Sequence, residues 1–96
     1  MAWYVYLLRC GDGSLYTGST SDVARRVAAH QAGKGAKYTR SHLPVELVYL
    51  EELPDQSAAL RREAAIKRMP RRQKLALLEQ AKPPSERERG RSAADS

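Results

Sequence analysis

Tyr16-Thr17-Gly18-Ser19-Thr20-Ser21-Asp22-Val23-Ala24-Arg25-Arg26-Val27-Ala28-Ala29-His30 decides how this chain is read. It reads as the end of a strand, a tight turn at Gly18, and a helix that starts at once. Ser19-Thr20-Ser21-Asp22 fits the [ST]-x-x-[DE] helix-start pattern, with Ser19 or Ser21 as the candidate cap. At about 100° per residue, Val23 and Val27 mark the buried face of the helix. His30 falls beside Val23, Arg26 on the edge of the apolar stripe, and Arg25 away from it. Tyr16, Arg26 and His30 are therefore expected to project into one cleft. The plainer reading is an ordinary amphipathic helix with a boundary arginine.

Upstream, residues 3–9 alternate as a strand. Trp3, Val5 and Leu7 point one way, and Tyr4, Tyr6 and Leu8 the other. Both faces are apolar or aromatic, so the strand is expected inside a sheet with cover on each side. Gly11-Asp12-Gly13 is a turn signal. With a three-residue loop and Gly13 at positive φ, Cys10 opposes Ser14 and Leu8 opposes Tyr16. Tyr6 and Tyr16 then share a face. A two-residue loop would put them on opposite faces.

At 96 residues the chain is expected to be one small domain. A single cysteine, Cys10, excludes an internal disulfide framework and a multi-cysteine zinc site. No stretch reads as a membrane span or a signal peptide, so a soluble, cytoplasmic protein without a membrane partner is expected. The net charge of +6 is unevenly placed. Residues 1–55 hold six basic and six acidic side chains, whereas residues 56–82 hold eight basic and two acidic. A localised basic surface suits a polyanion, nucleic acid first. A solvated helix face kept charged for solubility is the plainer alternative.

Gly33 to Pro44 reads as a basic loop carrying Lys34, Lys37, Tyr38, Arg40 and His42. Interleaved basic and aromatic residues suit backbone phosphates and an unstacked base. A glycine-rich surface connection is nearly as good a reading. Val45 to Leu50 is a further strand, and Asp55 or Ser57 starts the next helix. That helix carries Glu63 and Lys67, four residues apart, which could simply be an ion pair. Pro70 breaks it, and Arg71 to Lys82 forms another helix with Leu75 and Leu78 as its buried contacts. From Pro83 onward the sequence is polar and without apolar periodicity.

Tyr4-Val5-Tyr6, Tyr16-Thr17-Gly18, Arg26, His30 and Glu63, in this order and spacing, resemble the GIY-YIG endonuclease superfamily. The resemblance spans roughly residues 3–75 and is closest to short stand-alone bacterial members. Tyr4 stands where the family pattern has its first glycine. The resemblance implies a small α/β domain, α+β in arrangement, with a three-stranded antiparallel sheet flanked by helices. It implies one nuclease-like domain over residues 1–82, followed by a disordered polar tail at 83–96. It also implies a phosphodiesterase of the endonuclease type, with Tyr6, Tyr16, Arg26, His30 and Glu63 in the catalytic site. His30 reads equally as a phosphate or proton-relay partner and as a satisfied core histidine. Glu63 would hold a single divalent cation, Mg²⁺ or Mn²⁺. Lys34, Lys37, Tyr38, Arg40, Lys67 and Arg71 are the candidate nucleic-acid contacts, with DNA as the expected partner and RNA second. The expected role is cleavage of structured or single-stranded DNA in repair, recombination or processing. The alternative is a nucleic-acid-binding module with weak or lost cleavage.

Overall fold

A computed structural model describes residues 2–80 of the chain. Three strands form one antiparallel sheet: β1 (Trp3–Arg9), β2 (Leu15–Thr20) and β3 (Glu46–Leu53), in the order β2-β1-β3. Four helices complete the described part: α1 (Val23–Gln31), α2 (Lys37–Arg40), α3 (Gln56–Lys67) and α4 (Arg71–Gln80). Among the described residues no helix is long and apolar enough to cross a membrane. The expected polar tail lies outside the described residues.

The period-two alternation of β1 explains its central place. Val5 and Leu7 join Tyr49, Ala59 and Ile66 in one buried cluster, with Leu77 and Leu78 against it. Tyr6 and Leu8 join Cys10 and Val45 in a second cluster on the opposite face, where Tyr16 and Val27 pack. A strand covered on both faces has no solvent side to keep polar, which is why β1 reads as a nearly unbroken apolar run. Its pairing with β3 shifts register between Leu7 and Leu8, leaving Val48 as the extra residue of a bulge.

The β1–β2 connection has the odd-length loop that the tyrosines require. Gly13 sits at φ 86, a left-handed conformation that glycine adopts without cost. The Cys10 amide donates to the Ser14 carbonyl at 2.9 Å, and Leu8 pairs with Tyr16. Tyr6 pairs with Gly18, so Tyr6, Leu8, Tyr16 and Gly18 belong to one face of the hairpin.

Four local expectations are corrected. The chain does not turn at Gly18: β2 runs on to Thr20, and the turn follows at Ser21. The cap of α1 is Asp22, whose side chain accepts from the Arg25 amide, rather than Ser19 or Ser21. Ser19 remains in the strand and Ser21 is an exposed bend. The stretch after α1 is not loop throughout, because Lys37–Arg40 closes a short helix that buries Thr39. In α4 the core contacts are Leu77 and Leu78, while Leu75 is exposed. Asp55 does cap α3, accepting from the Ala58 amide at 2.8 Å, and α4 begins directly after Pro70.

Candidate active site

Strand β2 lies at the sheet edge, so groups from both sheet faces can meet around it. Its side chains alternate: Tyr16 and Gly18 lie on the α1 side, Thr17 and Ser19 on the α3 side. Tyr6 reaches across Gly18. A Cβ at position 18 would overlap the Tyr6 hydroxyl, so only glycine leaves the phenol room there. From the other face, the Ser19 hydroxyl donates to Glu63 Oε1 at 2.6 Å. Ser19 is thus a partner of Glu63, and strand alternation next to Gly18 was the signal that could have shown it.

His30 is the buried residue of α1 and is fully covered. Its Nε2 lies 3.0 Å from the Tyr6 hydroxyl, and its Nδ1 lies 2.8 Å from Thr39 Oγ1. The Tyr16 ring stands beside it, with centroids 5.3 Å apart. His30 is therefore both a satisfied core histidine and a direct partner of Tyr6, and the two readings do not exclude each other. Burial lowers the pKa of His30, and the positive charge of Arg26 lowers it further. Burial also raises the pKa of Tyr6. The Arg26 guanidinium opposes that rise by hydrogen bonding and charge, while Tyr16 and the Glu63 carboxylate add to it. The resting pair is accordingly a neutral phenol against a neutral imidazole.

Both Arg25 and Arg26 are exposed, and both line a shallow depression with Thr20, Asp22 and Ala29. The wheel separates them less than expected. The distinction lies in reach: Arg26 stands near enough to hydrogen-bond Tyr6 and to shift both Tyr6 and His30 by its charge.

Glu63 keeps 16% of its side chain exposed and is held at both oxygens. Ser19 occupies Oε1, and the Lys67 ammonium stands 2.8 Å from Oε2. Both sequence readings of Glu63, site carboxylate and i, i+4 ion pair, therefore describe the same side chain. Among the described residues no three His, Cys, Asp or Glu side chains gather into a metal cage. The donor set fits a hard cation that keeps most of its waters and takes one carboxylate oxygen. Oε2 already faces a positive charge, and Lys67, whose side chain is 54% exposed, has solvent to move into.

The candidate nucleic-acid contacts divide. Lys34, Lys37 and Arg40 are exposed around α2. Tyr38 stacks on His42 with centroids 4.2 Å apart and lies 6.1 Å from Tyr16, nearly parallel to it. Its hydroxyl donates to Ser14 Oγ, which donates to Asp12. Tyr16, Tyr38, Lys67 and Lys74 line one open groove of about 280 Å³ with Leu15 and Thr17. Arg71 has a structural partner, donating to the Gly13 carbonyl at 2.9 Å and so tying α4 to the hairpin.

A family model described as the GIY-YIG catalytic domain matches residues 2–76. The chain is similar to a UPF0213 protein of Streptococcus sanguinis, 57% identical over 77 residues that make up 80% of this chain and 88% of that protein. It is similar also to a UPF0213 protein of Cupriavidus pinatubonensis, 58% identical over 74 residues, 77% of this chain and 82% of that one. The solution NMR structure of a UPF0213 protein from Bacillus halodurans superposes with a TM-score of 0.58 at 46% identity, covering 90% and 92% of the two chains. With its domain model matched over most of its length and relatives more than half identical, the chain belongs to the GIY-YIG catalytic domain family, a nuclease superfamily.

Proposed function

We propose that the chain is a metal-dependent endonuclease that hydrolyses phosphodiester bonds in DNA, directed by branched or single-stranded structure and serving repair, recombination or processing. The observation that carries the reading is the Tyr6 hydroxyl held 3.0 Å from His30 Nε2, with Arg26, Tyr16 and Glu63 close enough to shift its ionisation. A buried phenol and imidazole in direct contact, shifted in opposite directions beside an arginine and a carboxylate, suit acid–base work.

In the proposed reaction, a water at the β2 edge gives its proton to the Tyr6 oxygen as Tyr6 passes its own proton to His30 Nε2. The resulting hydroxide forms a bond to phosphorus, and the bond from phosphorus to the leaving oxygen breaks. The pair of shifts allows Tyr6 to act without a standing phenolate, which burial disfavours. Arg26 holds the scissile phosphate with its planar fork of donors. Tyr16, half-exposed beside His30, orients water or phosphate. Glu63, held in place by Ser19, would bind Mg²⁺ or Mn²⁺, and the cation when bound supplies positive charge to the phosphoryl and leaving oxygens. Tyr38 offers a stacking face for an unpaired base, and Lys74, Lys34, Lys37 and Arg40 offer charge to flanking phosphates. RNA shares that chemistry and is the second substrate to try.

The test is a cleavage assay on branched, single-stranded and duplex DNA with Mg²⁺, with Mn²⁺ and with a chelator. Metal-dependent products from the first two substrates are expected. Glu63→Ala should abolish them while binding persists. Undiminished cleavage by a folded Glu63→Ala protein sinks the role given to Glu63. The alternative, a binding module without cleavage, is favoured by the Lys67 ammonium already neutralising Glu63. Retained DNA affinity with no products under any metal would establish it.

A further inference from the structure

We propose that Thr39 is a positioning residue for the Tyr6–His30 pair, fixing His30 as the tautomer protonated on Nδ1 so that Nε2 remains an acceptor for the Tyr6 hydroxyl. The count of available hydrogens fixes the tautomer. The Ala36 carbonyl can only accept, and Thr39 Oγ1 lies 2.9 Å from it and donates to it. A threonine hydroxyl has one hydrogen, so Oγ1 has only lone pairs left to offer. His30 Nδ1, 2.8 Å away, must therefore carry the hydrogen of that contact. A neutral imidazole protonated on Nδ1 has a bare Nε2. At 3.0 Å from the Tyr6 oxygen it accepts, and Tyr6 donates.

The opposite tautomer is penalised because nothing nearby can compensate for it. His30 and Thr39 are both fully buried. With the hydrogen on Nε2, Nδ1 would face a lone pair of Thr39 unless Thr39 abandoned Ala36. In the second case the Ala36 carbonyl keeps the Arg40 amide as donor, but in both cases a protonated Nε2 can no longer accept from the buried Tyr6 hydroxyl, which disfavours that tautomer by about tenfold or more. Ring reversal is no escape. It would set carbon atoms against both Thr39 and Tyr6 and lose both hydrogen bonds. The ring is also walled in, since a Cβ on Gly35 would overlap His30 Nδ1 and stand 2.8 Å from Cε1 and Cγ.

This gives the Gly33–Arg40 stretch a second task. Beyond presenting basic side chains, it carries the cover and the proton acceptor for His30. The charged and titratable groups facing the ring come from three elements: Tyr6 on β1, Tyr16 on β2 and Arg26 on α1. None of them accepts from Nδ1, so the tautomer is set from the α2 side. Tyr6 can then take a proton from water only by passing its own to Nε2. That consequence rests on the endonuclease reading, whereas the tautomer assignment does not.

The experiment is long-range ¹H–¹⁵N correlation NMR of His30 in the full chain, comparing wild type with Thr39→Ser and Thr39→Val at a pH where the ring is neutral. Wild type and Thr39→Ser should show a protonated Nδ1 and an unprotonated Nε2. Thr39→Val should move the hydrogen to Nε2. On cleavable DNA its kcat should fall about 10²-fold with KM little changed, whereas Thr39→Ser keeps most of the activity. A wild-type spectrum with hydrogen on Nε2 overturns the proposal outright. So does a folded Thr39→Val protein that retains the Nδ1–H tautomer. Should Thr39→Val not fold, the spectra of wild type and Thr39→Ser decide alone. Absence of cleavage by wild type would count against the endonuclease reading and leave the tautomer result standing.

Discussion

Gly18→Ala is the smallest change that tests how Tyr6 is seated. Gly18 pairs with Tyr6 across β1 and β2, and the Tyr6 ring end lies over it. An added Cβ would overlap the hydroxyl and stand 2.5 Å from Cζ and 3.1 Å from Cε1. Carbon atoms at ordinary contact are about 3.5–4.0 Å apart, so the ring must retreat by about 1 Å. Tyr6 is 1% exposed and packed among Leu8, Cys10 and Val45, so it cannot swing into solvent. Overpacking of this kind costs about 1–3 kcal/mol. For a domain of this size that lowers Tm by roughly 4–24 °C. The catalytic effect should be larger than the loss of stability suggests. A shift of about 1 Å breaks the geometry of the Tyr6–His30 bond, and misplacement of that size can cost about 10² in rate. Thermal melts followed by circular dichroism measure the first effect. Turnover at saturating DNA, well below the mutant's Tm, measures the second. A Gly18→Ala protein with wild-type Tm and wild-type turnover would refute the close approach on which the site is built.

Arg26→Ala should lower turnover by about 10²–10³ and Arg25→Ala should leave most of it, because Arg26 is the arginine that reaches Tyr6 and His30. Arg26→Lys should rescue in part, and equal losses at positions 25 and 26 would show that net field rather than a directed fork matters. DNA affinity should fall with salt, with a slope of about −0.7 per neutralised phosphate on single strands and −0.9 on duplex. Removing a contacting Lys37 or Arg40 should make the slope shallower by about one, and an affinity indifferent to salt would speak against any nucleic-acid partner. The pH dependence of stability follows from the lowered pKa of buried His30. An unfolded histidine takes up a proton near pH 6.5 that the folded ring refuses, so the stabilising effect is complete above that pH and is lost as pH falls towards the folded pKa. Urea unfolding between pH 8 and 5 should show this loss, at most about 1.4 kcal/mol per pH unit, and His30→Gln should remove it. A wild-type profile identical to that of His30→Gln would contradict the assignment.

The sheet was legible in the sequence because its signals are local. Alternation in Trp3 to Arg9 placed β1 at the centre, whereas the Gly11-Asp12-Gly13 turn left two loop lengths open, and only the fold chose the one that puts Tyr16 opposite Leu8. The helix ends were partly legible. Asp55 caps α3 as expected, but the serines before α1 misled, because a strand that continues past a glycine looks like a cap box in one dimension. The α2 turn was hidden because four residues are too few to show a helical period. Thr39 was hidden with it, since its task depends on Ala36 and on a histidine nine positions earlier. Leu75 and Leu77 could not be told apart because α4 offers only three leucines, and which face packs is decided by β3 and the cluster around Tyr49 rather than by α4 itself. The dual state of Glu63 was legible only as two competing readings. The sequence supplied Lys67 at the right spacing, and only the fold supplied Ser19.

An edge strand explains why so small a domain can assemble such a site. In an interior strand, groups on the two faces are kept apart by neighbouring strands. Among the described residues no strand lies beyond β2, so Tyr6, Tyr16, Arg26 and His30 approach from one side while Glu63 and Lys67 approach from the other. Gly18 is the point where the barrier between them is thinnest, and Ser19, the next residue along, already faces the second side. The same arrangement leaves a row of unpaired backbone groups at the rim, which in many sheets invites another chain. Here the rim is bordered by Arg26 on one flank and by Lys67 and Lys74 on the other. Positive charge on both flanks discourages a second copy of this chain from pairing edge to edge. Under the proposed function it would also attract an anionic backbone to the strand beside the Tyr6–His30 pair, so the same side chains would protect the edge and capture the substrate.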